Sequence, residues 1–243
     1  MTLYRAEGVV LRTYRLGEAD RIVVLMTAER GKVRAVAKGV RKTKSRFGGR
    51  LEPLTRLRLL LYEGRELDVI TQADTVEYFR TLREDLTRMT EGLAMVEAVD
   101  QLAQQGQPNS TMYRMLVSAL RTVDEHPSPL VVAGFYWKLL GLEGMAPVVD
   151  SCVRCGAGAD GGDVELVALD LTEGGALCPA CRRGPAVSPA ALAVINQIFN
   201  GDLARALTTP AGTLASEVAS LATGALEAHI ERRLRAVRAL GAP

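Results

Sequence analysis

The chain has 243 residues, 48 % hydrophobic and 24 % charged, with a formal net charge of +2. That length allows one large domain or two to three small ones, and the composition is that of an ordinary soluble globular protein, without low-complexity segments or internal repeats. The small net charge hides an asymmetry: residues 1–80 carry 17 Lys/Arg against 10 Asp/Glu, whereas residues 81–243 carry 13 against 18.

The opening MTLYRAEGVVLR lacks the basic-then-apolar layout of a signal peptide, and the apolar run PLVVAGFYW is broken by Lys138 before it could span a bilayer. The expectation is a cytoplasmic protein with no membrane contact. The first eighty residues then read as five short strands: GVVLRTYRL, RIVVLMTAE, KVRAVAKGV, LTRLRLLLY and ELDVITQA, with turns at GEAD, RG and EGR. Five strands separated by turns suggest a small closed barrel of the OB type. Period-two alternation puts Val33, Ala35 and Ala37 on one face of the third strand and Lys32, Arg34 and Lys38 on the other. In the fourth, Leu57, Leu59 and Leu61 oppose Arg56 and Arg58.

Between those strands lies KGVRKTKSRFGGR, with six basic residues in thirteen, no acid and three glycines. Residues 30–50 hold nine positive charges and no negative one. Such a run repels itself and cannot form a core, so it is either a solvated loop or a surface for a polyanion. Its position between two strands with basic outer faces favours nucleic acid, with Lys32, Arg34, Lys38, Arg41, Lys42, Lys44, Arg46, Arg50, Arg56 and Arg58 as the contact residues. Phe47 is the single aromatic in the window, so the grip should come from charge, with poor sequence preference and steep salt dependence.

From about residue 74 the period changes to helical. TVEYFRTLRED, GLAMVEAVDQLAQQ, MYRMLVSALRTVDEH and PLVVAGFYWKLLGLEG carry apolar residues three and four apart, with breaks at GQPNS and HPSP. Further on, SPAALAVINQIFNG opens with Ser188 as N-cap and Pro189 at the first helical position. A last helix is expected over roughly 213–240, with Leu226, Ile230, Leu234 and Val237 on one stripe. The pattern divides the chain into a barrel (1–80), a helical segment (81–149), a Gly- and Cys-rich module (150–184) and a second helical segment (185–243).

All four cysteines lie in that module, as CVRC at Cys152 and Cys155 and CPAC at Cys178 and Cys181, with 22 residues between the pairs. Two CxxC turns at such spacing point four sulfurs at one ion and complete a tetrahedral shell, which favours one structural Zn²⁺ with no open position for catalysis. A disulfide pair needs an oxidising compartment, and a redox CxxC comes singly at a strand–helix junction.

No catalytic constellation is visible. GVRKTKS ends in Lys44-Ser45 like a phosphate-binding loop but has Thr43 where the motif needs glycine. The two histidines, His126 and His229, have no metal-binding or nucleophilic neighbour in sequence, and carboxylates are scattered at helical spacing.

The run from VLRTYRLGEADRIVVLMT to RLEPLTRLRL resembles the N-terminal domain of the RecO family of bacterial recombination mediators. The resemblance rests on Leu16-Gly17-Glu18, Gly31-Lys32, Ala37-Lys38-Gly39, Lys44-Ser45 and Pro53. Downstream, GMAPVVDSCVRCG and GGALCPAC resemble the family's zinc segment, and HIERRLRA its closing helix without the Lys-Ser ending of many members. The resemblance implies an α+β chain: an OB-fold barrel, then a helical domain with an inserted zinc module. It further implies a non-enzymatic, nucleoid-associated protein that binds single- and double-stranded DNA and anneals complementary strands. With the partner RecR, such a protein helps load RecA onto DNA coated by single-stranded-DNA-binding protein, whose acidic C-terminal tail it recognises. Arg154, Arg182, Arg183, Arg232, Arg233, Arg235 and Arg238 are candidates for a second DNA surface. The rival reading is a zinc-ribbon adaptor whose basic barrel docks on RNA or an acidic protein.

Overall fold

The computed structural model describes residues 2–236. Its first half is a closed barrel in the order β1-β2-β3-β5-β4, built from Leu3–Leu16 (β1), Asp20–Thr27 (β2), Gly31–Ala37 (β3), Arg56–Tyr62 (β4) and Asp68–Glu77 (β5). This is the expected five-stranded OB-type barrel. The first strand is longer than the sequence pattern indicates because it serves two neighbours. Leu3–Val9 pair with β4 and Gly8–Leu16 with β2, and a bulge between Val10 and Arg12 turns the strand from one to the other. Closure rests on a short parallel contact of Ala35 and Val36 with Asp68 and Val69.

Alternation places the core as expected: Val33, Ala35 and Ala37 meet Leu57, Leu59 and Leu61, with Val10, Val23, Leu25 and Ile70. Val24 and Met26 point the other way on β2 and yet are buried too. The cause is a pair of helices that packs on the outside of the barrel: Leu86–Leu102 (α2, after a short α1 at Arg80–Glu84) and Ser110–Glu125 (α3) both contact β1, and α3 also contacts β2. Each long helix starts at a side-chain cap, Asp85 accepting from the Arg88 N–H (2.8 Å) and Asn109 from the Met112 N–H (2.9 Å). The loop between them lies against Gly31, whose φ of 65° and lack of Cβ are both needed: a Cβ there would sit 1.8 Å from the Gln107 carbonyl oxygen.

The helix expected over TVEYFRTLRED is a correction. Thr75 and Glu77 still pair with Leu57 and Arg56 in the sheet, and the helix begins only at Arg80. Ladder hydrogen bonds outweighed the helical spacing of the side chains.

The second half contains Val131–Leu142 (α4), the hairpin Ala168–Asp170 (β6) and Gly175–Leu177 (β7), Pro189–Phe199 (α5), Leu203–Ala206 (α6) and Thr213–His229 (α7). Helices α4, α5 and α7 pack on one another around Trp137, Tyr136, Ile195 and Leu226. Ser188 caps α5 as predicted, accepting from the Ala191 N–H (3.1 Å), and its own hydroxyl donates to Glu217 (2.9 Å). The last helix is shorter than expected. It ends at His229, and Glu231 takes a left-handed φ of 50°. A new helical turn starts at Arg235, its backbone N–H and that of Ala236 donating to the Glu97 carboxylate at 3.0 and 2.8 Å. Leu226 and Leu234 are buried, and Val237 lies outside the described residues.

The described residues divide into two compact units. Those up to His126 form one with Leu234, Arg235 and Ala236, and Pro127–Arg233 form the other. The first three helices therefore belong with the barrel, and α4 belongs with the cysteine module.

Candidate nucleic-acid interface and metal centre

The basic stretch between β3 and β4 is a series of tight turns, and it is held by its apolar residues. Phe47 and Leu51, each only 1 % exposed, insert into the barrel core, and Val40 packs against it. The Phe47 side chain is therefore an anchor, with no face left for a base. Backbone contacts stitch the stretch to the β1–β2 turn: the Gly39 N–H donates to Asp20 Oδ1 (2.7 Å), and the Arg41 N–H to the Ala19 carbonyl (2.9 Å). The Arg41 guanidinium reaches the Glu18 carbonyl at 2.8 Å, and Arg21 pairs with Glu52 at 2.6 Å. Two loops at one end of the barrel thus form a single fixed surface.

On that surface Lys38, Arg41, Lys42, Lys44, Arg46 and Arg50 are all exposed. None makes an ion pair with an acidic side chain among the described residues. Arg46 lies over the Phe47 ring at 4.8 Å, and Arg50 bonds the Arg46 carbonyl at 3.1 Å. Six positive charges held together, none of them in an ion pair among the described residues, make a strong anion site.

The other four candidates stand elsewhere. Lys32 is turned inward: its Nζ donates to the Asp100 carbonyl (2.6 Å) and lies 3.6 Å from Asp100 Oδ1, a carboxylate that Arg12 also contacts at 2.7 Å. Arg34 is half-buried, and its Nε has no partner. Arg56 is the centre of a network, donating to Glu7 (2.9 Å from Nε), Glu77 (2.7 Å) and the Tyr113 hydroxyl (3.1 Å), while Arg121 holds the far side of Glu77 at 2.6 Å. Burial alone would raise the Glu7 and Glu77 pKa values. The guanidiniums of Arg56 and Arg121 and the Tyr113 hydroxyl outweigh it and hold both below the usual carboxylate range. Lys32 and Arg56 therefore tie the barrel to α2 and α3. Arg58 is exposed on the outer face of β4.

In the second unit the four cysteines meet. Their sulfurs all lie within 4.8 Å of one another, with Cys155 and Cys178 at 3.8 Å. Tetrahedral sulfur ligands at ordinary metal–thiolate bond lengths of about 2.3 Å stand about 3.8 Å apart, so the set fits one ion. The hairpin sets this geometry: the Val153 N–H donates to the Ala176 carbonyl (2.9 Å), laying the first knuckle along β7, and the second knuckle follows directly after that strand. Gly175 permits the approach, since a Cβ there would be 2.7 Å from Val153 Cβ. Burial pushes the Cys152 thiol up, but backbone N–H groups of Cys178, Cys155 and Arg154 bring it down to about 6. The Cys181 thiol is pushed up to about 12 by burial and then by Cys155, Cys178 and Cys152, as expected of close sulfurs that repel unless a cation joins them.

The chain matches the family model for the recombination protein O N-terminal region over residues 1–79 and that for its C-terminal region over residues 83–238. The chain belongs to the RecO family. Among its relatives are a DNA repair protein RecO of Frankia casuarinae, 43 % identical over 98 % of both chains, and one of a Nocardioides species, 42 % identical over 97 % of this chain and 98 % of the relative.

Within this RecO-family chain the second arginine group does not behave as one. Arg183 is committed to Asp170 and Glu173 at the β6–β7 turn. Arg154 and Arg182 are exposed beside the knuckles, Arg232, Arg233 and Arg235 are exposed after α7, and Arg238 lies outside the described residues. His126 follows the last residue of α3 and His229 is the last residue of α7; neither belongs to the cysteine cluster. Among the described residues no helix is long and apolar enough to cross a membrane. Sequence reasoning missed Phe47 and Leu51 as anchors, although two apolar residues four apart inside a basic run were a readable sign.

Proposed function

We propose that this RecO-family DNA repair protein binds single- and double-stranded DNA through the loop surface of Lys38, Arg41, Lys42, Lys44, Arg46 and Arg50. On this reading it anneals complementary strands without any nucleotide and acts as a mediator, not an enzyme. The observation that carries the reading is the set of six exposed cations on a loop anchored in the barrel core, none of them in an ion pair among the described residues. Phosphates of either nucleic-acid form would displace counterions there, and the released counterions supply affinity without sequence preference. Annealing is limited by the mutual repulsion of two strands, which positive surface relieves. The four cysteines hold one Zn²⁺, which orders the second unit and takes no part in chemistry, since thiolates fill its shell.

By the same family argument the protein acts with RecR to load RecA onto DNA coated by single-stranded-DNA-binding protein. The acidic, apolar-ended tail of that protein calls for a basic residue at the lip of a groove between helices. Filter binding with DNA and RNA at two salt concentrations, together with annealing of complementary oligonucleotides with and without ATP, tests the reading. Duplex formation should be faster than for bare strands, equal in both nucleotide conditions and slower at high salt. Tighter binding of RNA or of an acidic protein than of DNA would favour an adaptor role instead.

A further inference from the structure

OB barrels commonly use the outer face of strands 2 and 3 for oligonucleotides. Here the outward side chains Val24 and Met26 of β2 are buried, and Lys32 of β3 is spent on Asp100. The sheet face left open in this unit is the opposite one, made by β1, β4 and β5. Its cross-strand rows can be read from the register: Glu7, Arg58 and Asp74; then Arg5, Leu60 and Gln72; then Leu3, Tyr62 and Val69. A groove of about 250 Å³ opens between Arg5, Arg58, Leu60, Gln72 and Asp74. Leu3 and Tyr62, directly paired beside it, are 46 % and 42 % exposed.

We propose that this groove holds a second DNA single strand, with Arg5 and Arg58 on successive phosphates and Tyr62 as the platform for a base. The inference rests on the annealing reading, which needs two strands on one protein. The two guanidiniums make no hydrogen bond or ion pair among the described residues. Arg58 lies cross-strand between Glu7, which Arg56 also binds, and Asp74, which accepts from Gln72 Nε2 at 2.9 Å, whereas Arg5 faces Leu60 and has no acid across from it. The alternation of cation, apolar surface and aromatic matches a single strand, whose phosphates and bases project to different sides of its backbone. An extended peptide has less to bind: β4, the strand at the centre of this face, is paired on both sides and offers no main chain for pairing.

The test uses the full chain at low salt with a short dT oligonucleotide carrying 5-iododeoxyuridine. Native mass spectrometry should count two oligonucleotides per wild-type chain and one for Arg5→Ala/Arg58→Ala. Photo-cross-linking of the wild-type chain, which requires no variant to fold, should label a peptide containing Tyr62. Tyr62→Ala should weaken the second binding event by roughly tenfold. The double variant should also anneal at close to the bare-strand rate. A double variant that still binds two oligonucleotides and anneals like the parent overturns the groove and leaves the loop surface standing. Wild-type protein that binds no DNA overturns both. Labelling of Tyr62 by an acidic peptide, but not by the oligonucleotide, overturns the assignment of the groove to DNA.

Discussion

Lys38, Lys42 and Lys44 separate binding from folding better than any other group on the loop. Their amines are exposed and make no hydrogen bond or ion pair among the described residues, whereas Arg41 also braces the Glu18 carbonyl. Replacing the three lysines with alanine should leave stability within about 0.5 kcal/mol of the parent. Each phosphate contact contributes about 0.7 to the slope of log K against log salt for single strands and about 0.9 for duplex. The triple variant should therefore lose about 2 units of slope on single strands and about 2.7 on duplex. Put another way, a fourfold rise in salt should weaken the parent about 16-fold more than the variant on single strands. Lys32→Ala should do the reverse. It removes the 2.6 Å bond to the Asp100 carbonyl and leaves a buried carboxylate with Arg12 alone, at a cost of about 1–3 kcal/mol. Its melting temperature should fall by several degrees with the salt slope unchanged. Fluorescence anisotropy across a salt series, paired with thermal melts, measures both. A triple variant with the parental slope would refute the argument, as would a Lys32→Ala chain that loses slope but keeps its melting temperature.

Cys178→Ser should abolish stoichiometric zinc by metal analysis and lower the solubility of the chain, while any folded fraction keeps its DNA binding, because the loop lies in the other compact unit. Glu7 and Glu77 have folded pKa values below their unfolded ones, so their contribution to stability is complete above pH of about 4.5 and is lost as pH falls through the folded values. The two side chains are 27 % and 26 % exposed; thermal melts between neutral and acid pH should show the loss, and Glu7→Gln should flatten the dependence. Phe47→Ala should cost about 3–5 kcal/mol of barrel stability and weaken DNA binding with it, whereas Phe47→Leu should retain most of both, as read by melts and anisotropy together.

The barrel was legible because period-two alternation is a local signal: Val33, Ala35 and Ala37 and the leucines of β4 point inward as their spacing requires. The cysteine cluster was legible for a similar reason, since each knuckle is a turn of four residues and only their meeting needs the hairpin. What alternation cannot say is what covers the outward face. Lys32 and Arg34 have the same spacing as Lys38, yet Asp100, 68 residues further on, claims Lys32, and Lys38 stays free of such a partner. Arg56 likewise looks like Arg58 in sequence, and it is Glu77 and Tyr113 that make it structural. The end of α7 escaped notice for the opposite reason. The apolar stripe continues through Leu234, but Glu231 breaks the backbone between.

The placement of α2 and α3 alters what the barrel can do with nucleic acid. A strand lying along β2 and β3 would have to displace buried Val24 and Met26 contacts and the Lys32–Asp100 pair. Each buried apolar side chain exposed in that way costs about 1.5–3 kcal/mol, which loop phosphate contacts would have to offset before any net binding. Crossing the loop end of the barrel carries no such cost, because Phe47 and Leu51 stay buried while the six cations above them already face solvent. The core thus presents the charge instead of competing with it. A surface held this way keeps the backbone that carries its cations in place, so little backbone ordering entropy would be lost on binding, and affinity can depend on salt without depending on sequence.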